Sequence, residues 1–328
     1  MEIIGKEIEV GFGVEETRGT AQGTAEKWMK KVTANVVERA EKVTDDASRG
    51  RLEDSDGSRI VKKWVEGDIE GIVHADAIGY ILYNLYGSVS SSVVLGSVYD
   101  HVFNISNAIQ HASLSVFMKD GGVQQLSMSN CMVGTFNLSG AVDDYVRFTT
   151  SIMGSSATDN SDTPSYDTEY DFIGKDIEVK IADSEAGLSG ATAIKAKSVD
   201  VTFDQGLISD HIVGQYAPDD VYNSMMSIEG EITLNFANET YKDLYLADTS
   251  KYMQIKIQGS ADIGGGSNPT ITLLLNKVQF QDWNRSGGND ELVAETLSFK
   301  AFYNATDGKQ SQLTLRNLTT EYSSPISA

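Results

Sequence analysis

Cysteine is nearly absent. Cys131 stands alone in 328 residues, so no disulfide within the chain is possible. Basic residues are scarce too: 26 Lys and Arg face 47 Asp and Glu, for a net charge of −21. That balance excludes holding nucleic acid by neutralising its phosphates, which takes clustered Lys and Arg. So acidic a surface keeps a protein soluble, suits a salty medium, and repels any DNA beside it. No apolar run approaches the ~20 residues of a membrane-spanning helix. The opening MEIIGKEIEVG lacks the basic and apolar regions of a signal peptide, so folding in a cytoplasm is expected. Six Asn-X-Ser/Thr sequons, among them Asn104, Asn238 and Asn317, then read as chance.

Catalytic signatures are missing as well. EDSDGS at 53–58 looks like half a calcium loop, but Leu52 and Lys63 occupy its first and twelfth ligand positions. GFGVEETRG at 11–19 puts Glu16 where a dinucleotide fingerprint needs its third glycine. His74, His101, His111 and His211 include no pair at the i, i+4 spacing of a helical metal site. His101 and His111 read as a chance surface pair. No serine sits in a GxSxG elbow. No enzyme activity, cofactor or metal is therefore expected.

What the sequence does have is a repeat. IGKEIEV at 4–10 returns as IGKDIEV at 173–179, with Glu7 in the first copy and Asp176 in the second. VEGDIEG at 65–71 is echoed by IEGEITL at 228–234. A short helical stretch follows each. The first places Ile78, Ile81, Leu82 and Leu85 at helical spacing and stops at Gly87. The second starts at Asn238 as an N-cap, with Tyr241, Leu244 and Tyr245 on one side. The stretches 113–121, 129–140 and 143–154 are then answered in order by 251–259, 275–287 and 290–302. An insertion at about 88–112 is the main departure.

The strands alternate. Glu66, Asp68 and Glu70 oppose Val65, Gly67 and Ile69; Glu229, Glu231 and Thr233 oppose Ile228, Ile232 and Leu234. Period two marks antiparallel strands with one face on a core and one on water. The fold expected is mainly β, with two tandem homologous β-sandwich or partial-barrel domains, each flanked by a short α-helix. Residues 1–160 form the first and 172–328 the second, with 161–171 as linker. Open sheet edges invite pairing between neighbours, and a closed ring of such pairs has a continuous barrel as its inner wall.

GFGVEETRGTA, WVEGDIEG, AIGYILYNLYG and the closing NCMV…LSGAVDDYVRFTTSIMG resemble the tail tube (major tail) proteins of long-tailed bacteriophages. The likeness covers the whole chain, although its motifs are soft: turn glycines, alternation and one helix. It implies the phage tail tube fold, and a structural virion protein that stacks in rings around a channel for double-stranded DNA. Single-domain members form hexamers and duplicated ones form trimers with pseudo-sixfold symmetry, so the duplication points to a trimer. It also implies assembly in the host cytoplasm, a place in the virion tail, and partners among tail proteins: a tape measure inside, a terminator and a tail tip at the ends. No membrane is involved.

With four strands per unit lining the channel, about 24 strands at ~4.8 Å spacing and ~45° tilt enclose a barrel on the order of 50 Å across. An acidic wall there offers phosphate no ion pairs, so DNA slides without sticking. The residues expected on that wall are Glu66, Asp68, Glu70, Glu229 and Glu231. The charged stretch 36–63 and its counterpart 204–226 are, by the resemblance, loops that reach between stacked rings. Both chain ends and the insertion are further candidates for that role. Arg49, Arg51 and Arg59, with Asp54 and Asp56 among them, are the expected inter-ring contacts. Two other readings fit the same residues: a soluble two-domain binding protein, and another tail ring such as a terminator or baseplate component. A contractile tail is not excluded.

Overall fold

The structure is a computed structural model that describes residues 2–45, 50–52 and 54–323. The first half of the chain forms β1 (Ile8–Val14), β2 (Lys27–Met29), β3 (Val32–Thr44), β4 (Ser58–Ile72), α1 (Ile78–Tyr86), β5 (Gly87–Leu95), β6 (Val98–Ile105), β7 (Leu114–Asp120), β8 (Gln124–Ala141), β9 (Arg147–Gly154) and β10 (Ser156–Asp159). The second half forms β11 (Ile177–Ala182), α2 (Glu185–Leu188), β12 (Ala196–Asp204), β13 (Ile208–Asp210), β14 (Asp220–Tyr222), β15 (Ser227–Asn235), α3 (Thr240–Leu246), β16 (Lys251–Gln258), β17 (Thr270–Ser286), β18 (Ala294–Ala301) and β19 (Ser311–Asn317).

Pairing in the two halves follows one plan. β3–β4–β9–β8 in the first matches β12–β15–β18–β17 in the second, all antiparallel. A second layer, β1–β7–β8, matches β11–β16–β17. β8 and β17 are long enough to serve both layers, and each carries a bulge where it passes between them. The repeated opening has a shared local cause. Residues 5–7 and 174–176 are 3₁₀ turns, and the carboxylates of Glu7 and Asp176 accept from the backbone N–H of Ile4 (3.4 Å) and Ile173 (3.0 Å). Glu and Asp both reach, so the one difference between the copies leaves the turn intact.

The halves are not separate bodies. β8 residues 135–141 pair directly with β12 residues 198–204, from Thr135↔Asp204 to Ala141↔Ser198. This seam joins the two four-stranded sheets into a single wall in the order β3–β4–β9–β8–β12–β15–β18–β17. Phe136 and Phe203 face each other across it, rings 5.9 Å apart and both fully buried. One continuous apolar core runs beneath both halves. Gly67 and Gly230 occupy matching places in β4 and β15. A Cβ on Gly67 would stand 1.9 Å from the Asn35 carbonyl oxygen, and one on Gly230 2.4 Å from that of Asp200. Only glycine lets the neighbouring strands close there.

The helices differ although their sequences align. α1 is buried along almost its whole length. Gly87 ends it at φ 76°, with its N–H donating to the Tyr83 carbonyl, as its glycine predicts. Gly79 admits the ring of Tyr322, whose hydroxyl donates to the Asp76 carbonyl at 2.6 Å. α3 has no fully buried residue; Asn238 accepts from the Thr240 N–H at 3.0 Å, and Tyr241, Leu244 and Tyr245 are half-covered. The expectation of a surface His101–His111 pair fails. The insertion forms a hairpin, β5–β6, that adds itself to β19 of the second half and buries the His101 ring, while the His111 ring is buried beyond the hairpin against Gly87 at the end of α1. His101 meets the Ser91 hydroxyl (2.8 Å) and the Asn317 amide oxygen (3.1 Å), while His111 meets the carbonyls of Asn84 (3.0 Å) and Ser106 (3.2 Å).

The linker is pinned rather than loose. Asp162 accepts from the Ala25 N–H (2.8 Å) and the Trp28 indole (3.3 Å), and Lys31 binds Asp171. Glu169 is buried 3.4 Å from Lys27 and 3.6 Å from His74. Burial outweighs the Lys27 charge and raises the Glu169 carboxyl to about 7, while burial lowers the His74 imidazole. A raised carboxyl makes the folded state the tighter proton binder between the ordinary value of 4.5 and about 7, so Glu169 withdraws stability as pH rises through that window. His74 acts in the opposite sense, withdrawing stability as pH falls through 6.5. Glu169→Gln is expected to gain stability relative to wild type as pH rises from 5 to 7.5, read as the difference in thermal midpoint. A constant difference across that range would contradict this.

Candidate functional site

Alternation across the wall sorts its side chains into two faces. Val36, Val65, Ile69, Phe136, Phe148, Phe203, Ile232 and Leu297 point into the core and are buried. The opposite face is polar. The register sets Glu66, Asp68 and Glu70 against Met153, Ser151 and Thr149, and Glu229 and Glu231 against Lys300 and Ser298. All five acids named from the sequence therefore lie on one face of one sheet, although they come from opposite halves of the chain.

The same face holds three carboxylates that the sequence pattern did not single out: Asp200, Asp204 and Asp282. Asp200 and Asp204 lie in DVTFD, which carries no Glu-Gly signature, and Asp282 follows a bulge that breaks the alternation. Cations on the face are fewer. Lys300 pairs with Glu229 at 2.6 Å and Arg39 with Glu66 at 3.3 Å, while Arg147 turns to Asp144 at 2.9 Å. The Lys300 ammonium holds the Glu229 carboxyl below its usual range. Asp68, Glu70 and Glu231 have no ion-pair partner within 4 Å among the described residues. At the seam the Asn137 amide donates to Asp200 (2.8 Å) and the Thr202 hydroxyl (2.9 Å), so the polar face is continuous across the join.

The wall ends in two bare edges. Among the described residues β3 pairs only with β4, and residues 280–286 of β17 pair only with β18. In the stretch 36–63, expected as a loop reaching between rings, residues 36–44 and 58–63 are instead strand. β3 and β4 remain paired out to Thr44↔Ser58, well past the last β4–β9 pair at Val65, and form a two-stranded arm. Arg51, Asp54, Asp56 and Arg59 are exposed along the outer part of this arm; Arg49 lies outside the described residues.

The counterpart stretch, 204–226, does not project. It folds back as a strap over the first half. Asp220 is its anchor, accepting from Arg18 Nε (2.8 Å), the Asn130 amide (2.9 Å) and the Gln110 amide (2.7 Å). Burial alone raises the Asp220 carboxyl, but the bonds from Asn130 and Arg18 hold it below its ordinary value. Gln205 adds a 2.7 Å bond to the Val133 carbonyl, and the Asn223 side chain accepts from the His111 N–H at 2.9 Å.

A family model described as phage tail tube protein matches residues 5–301. The chain belongs to the phage tail tube protein family. Comparison with curated proteins gave no match. Membership makes this tail tube protein a structural component of the virion tail, with copies of itself and other tail proteins as partners. Among the described residues no cluster of His, Cys, Asp and Glu is arranged to hold a metal ion, and no helix is long and apolar enough to cross a membrane.

Asp220→Ala removes the acceptor for four donors, three side chains and the Val221 N–H, and leaves Arg18 without its carboxylate. A loss of about 2–3 kcal/mol in denaturant unfolding is expected, with faster protease cleavage at 211–217. Unchanged cleavage would mean that the strap is held elsewhere.

Proposed function

We propose that this tail tube protein closes rings through its two bare sheet edges, and that the polar face of the wall lines the channel through which genomic DNA passes. Residues 1–160 and 172–328 act as two sibling units, so three chains supply six ring positions with pseudo-sixfold symmetry. The rings stack into a tube assembled in the host cytoplasm around a tape measure, bounded by a terminator and a tail tip. The observation that carries this reading is the single eight-stranded wall, with carboxylates from both halves on one side and, among the described residues, an open strand edge at each end.

Three such walls provide about 24 strands, and the strand spacing then sets a barrel on the order of 50 Å across. Carboxylates without cationic partners repel phosphate over a Debye length of about 8–10 Å at physiological salt, so DNA stays off the wall. The exposed arm, with Arg51, Asp54, Asp56 and Arg59, reaches the adjacent ring. Arg49, beyond the described residues, belongs to the same contact. The ion pairs there are individually weak and salt-sensitive.

Reversing the wall charge tests the lumen. Tubes of Asp68→Lys/Glu231→Lys protein are expected to retain linear double-stranded DNA at about 50 mM salt and release it as salt rises, whereas wild-type tubes retain none. Co-sedimentation of DNA with tubes reads this out. Equal failure of both proteins to retain DNA would place these residues away from the channel.

A further inference from the structure

The seam inside the chain is a template for the seam between chains. Ladder pairs fix which residues correspond. Ile69 pairs with Thr150, which pairs with Phe136; Ile232 pairs with Leu297, which pairs with Trp283. Trp283 therefore stands on the β17 edge where Phe136 stands on β8. By the same reckoning Val65 pairs with Glu38 where Ile228 pairs with Phe203, so Glu38 on the β3 edge stands where Phe203 stands on β12.

The positions match, but the chemistry does not. The internal seam sets Phe136 against Phe203 and Leu138 against Val201, all buried. The bare edges carry an acid and a cation-ringed aromatic at the corresponding sites. Trp283 is half-buried, with its indole bonded to Glu295 at 3.0 Å and its ring 6.1 Å from Phe236. The Lys242 ammonium lies 5.9 Å from the Trp283 ring, and the Arg285 guanidinium 5.5 Å from the Phe236 ring. Glu38 is exposed, with Lys63 at 3.1 Å as its ion-pair partner among the described residues.

We propose that a second copy of this chain seats its β3 edge on the β17 edge in the register of the internal seam, with Glu38 opposite Trp283 and bracketed by Arg285 and Lys242. This rests on the tube reading above and adds the register and the chemistry of its contact. Ala34 then faces Gly287, Asn35 faces Ser286 and Val36 faces Arg285. Arg285 lies diagonal to Glu38, within reach for a charge pair across neighbouring strands. The core side of the internal seam is apolar and permanent. The intermolecular one is charge-complementary, which sets partner register and makes closure sensitive to salt.

The test is a charge swap read by light scattering and negative-stain imaging of ring formation. Glu38→Arg and Arg285→Glu are each expected to raise the concentration needed for assembly at least tenfold, and the double variant to recover most of it. Both side chains are exposed, but Arg285 stands opposite the buried Glu295 in the ladder, so Arg285→Glu is expected to melt below wild type and is read beside Arg285→Gln, which should melt like wild type and still raise the assembly concentration. Singles that assemble like wild type, or a natively melting double variant no better than either single, would overturn the proposal. Register is read by disulfide trapping of assembled rings. Asn35→Cys/Ser286→Cys and Ala34→Cys/Gly287→Cys are successive pairs, so one of them has the closer spacing that favours a disulfide. Linked multimers are expected from at least one. Linkage from the slipped pair Asn35→Cys/Asn284→Cys alone would overturn the register while leaving ring closure standing. Wild-type protein that never assembles would defeat the tube reading as well as this seam.

Discussion

The hydrogen-bonded ladder between β8 and β12 is the constraint on which the rest depends. It turns two four-stranded sheets into one wall with a single polar face. Without it, Glu66 and Glu231 would belong to separate surfaces with no fixed relation. With it, the apolar side is sealed by Phe136 and Phe203, and the polar side by the Asn137 bridge to Asp200 and Thr202. The same ladder uses up one edge from each half and leaves one edge from each half open. Each open edge is the sibling of one already paired, β3 of β12 and β17 of β8.

Within that shared plan the halves have diverged in what covers them. The first half has its helix enclosed by the β5–β6 hairpin, by Tyr322 and by the strap anchored at Asp220. The second half leaves α3 half-bare and its β17 edge ringed with cations. The strap of one half corresponds to the arm of the other: one folds over the first half, and the other extends as a two-stranded ladder whose Lys63 N–H meets the strap at the Tyr216 carbonyl, 2.9 Å away. Within the chain the core side of the seam is apolar and closed, while the strap is held by polar bonds to Asp220.

Much of the wall was legible in the sequence because its strands are half-buried, and half-burial writes a period of two. VEGDIEG and IEGEITL carried the strand, the face and the matching glycines together. Asp200 and Asp204 escaped because a strand of the same period carried no repeated motif to mark it. The arm read as a loop because beyond Val37 both of its faces meet water, so ERAEKV at 38–43 has no buried apolar side to reveal its pairing. His101 read as a surface residue because its burial comes from β19, more than two hundred residues away, and His111 because its ring is covered by the end of α1 and the turn at Ser106, which no local pattern marks. The Asp220–Arg18 anchor has a separation of 202 residues and no local pattern at either end.

The central claim is that one wall, built across both halves, faces the hollow of a ring. A three-dimensional reconstruction of the assembled ring tests it most directly. Three copies are expected, with β3 of each chain beside β17 of the next and Asp68, Glu70 and Glu231 on the inner surface. A ring in which the carboxylate face looks outward, or in which those two edges stay apart, would contradict it.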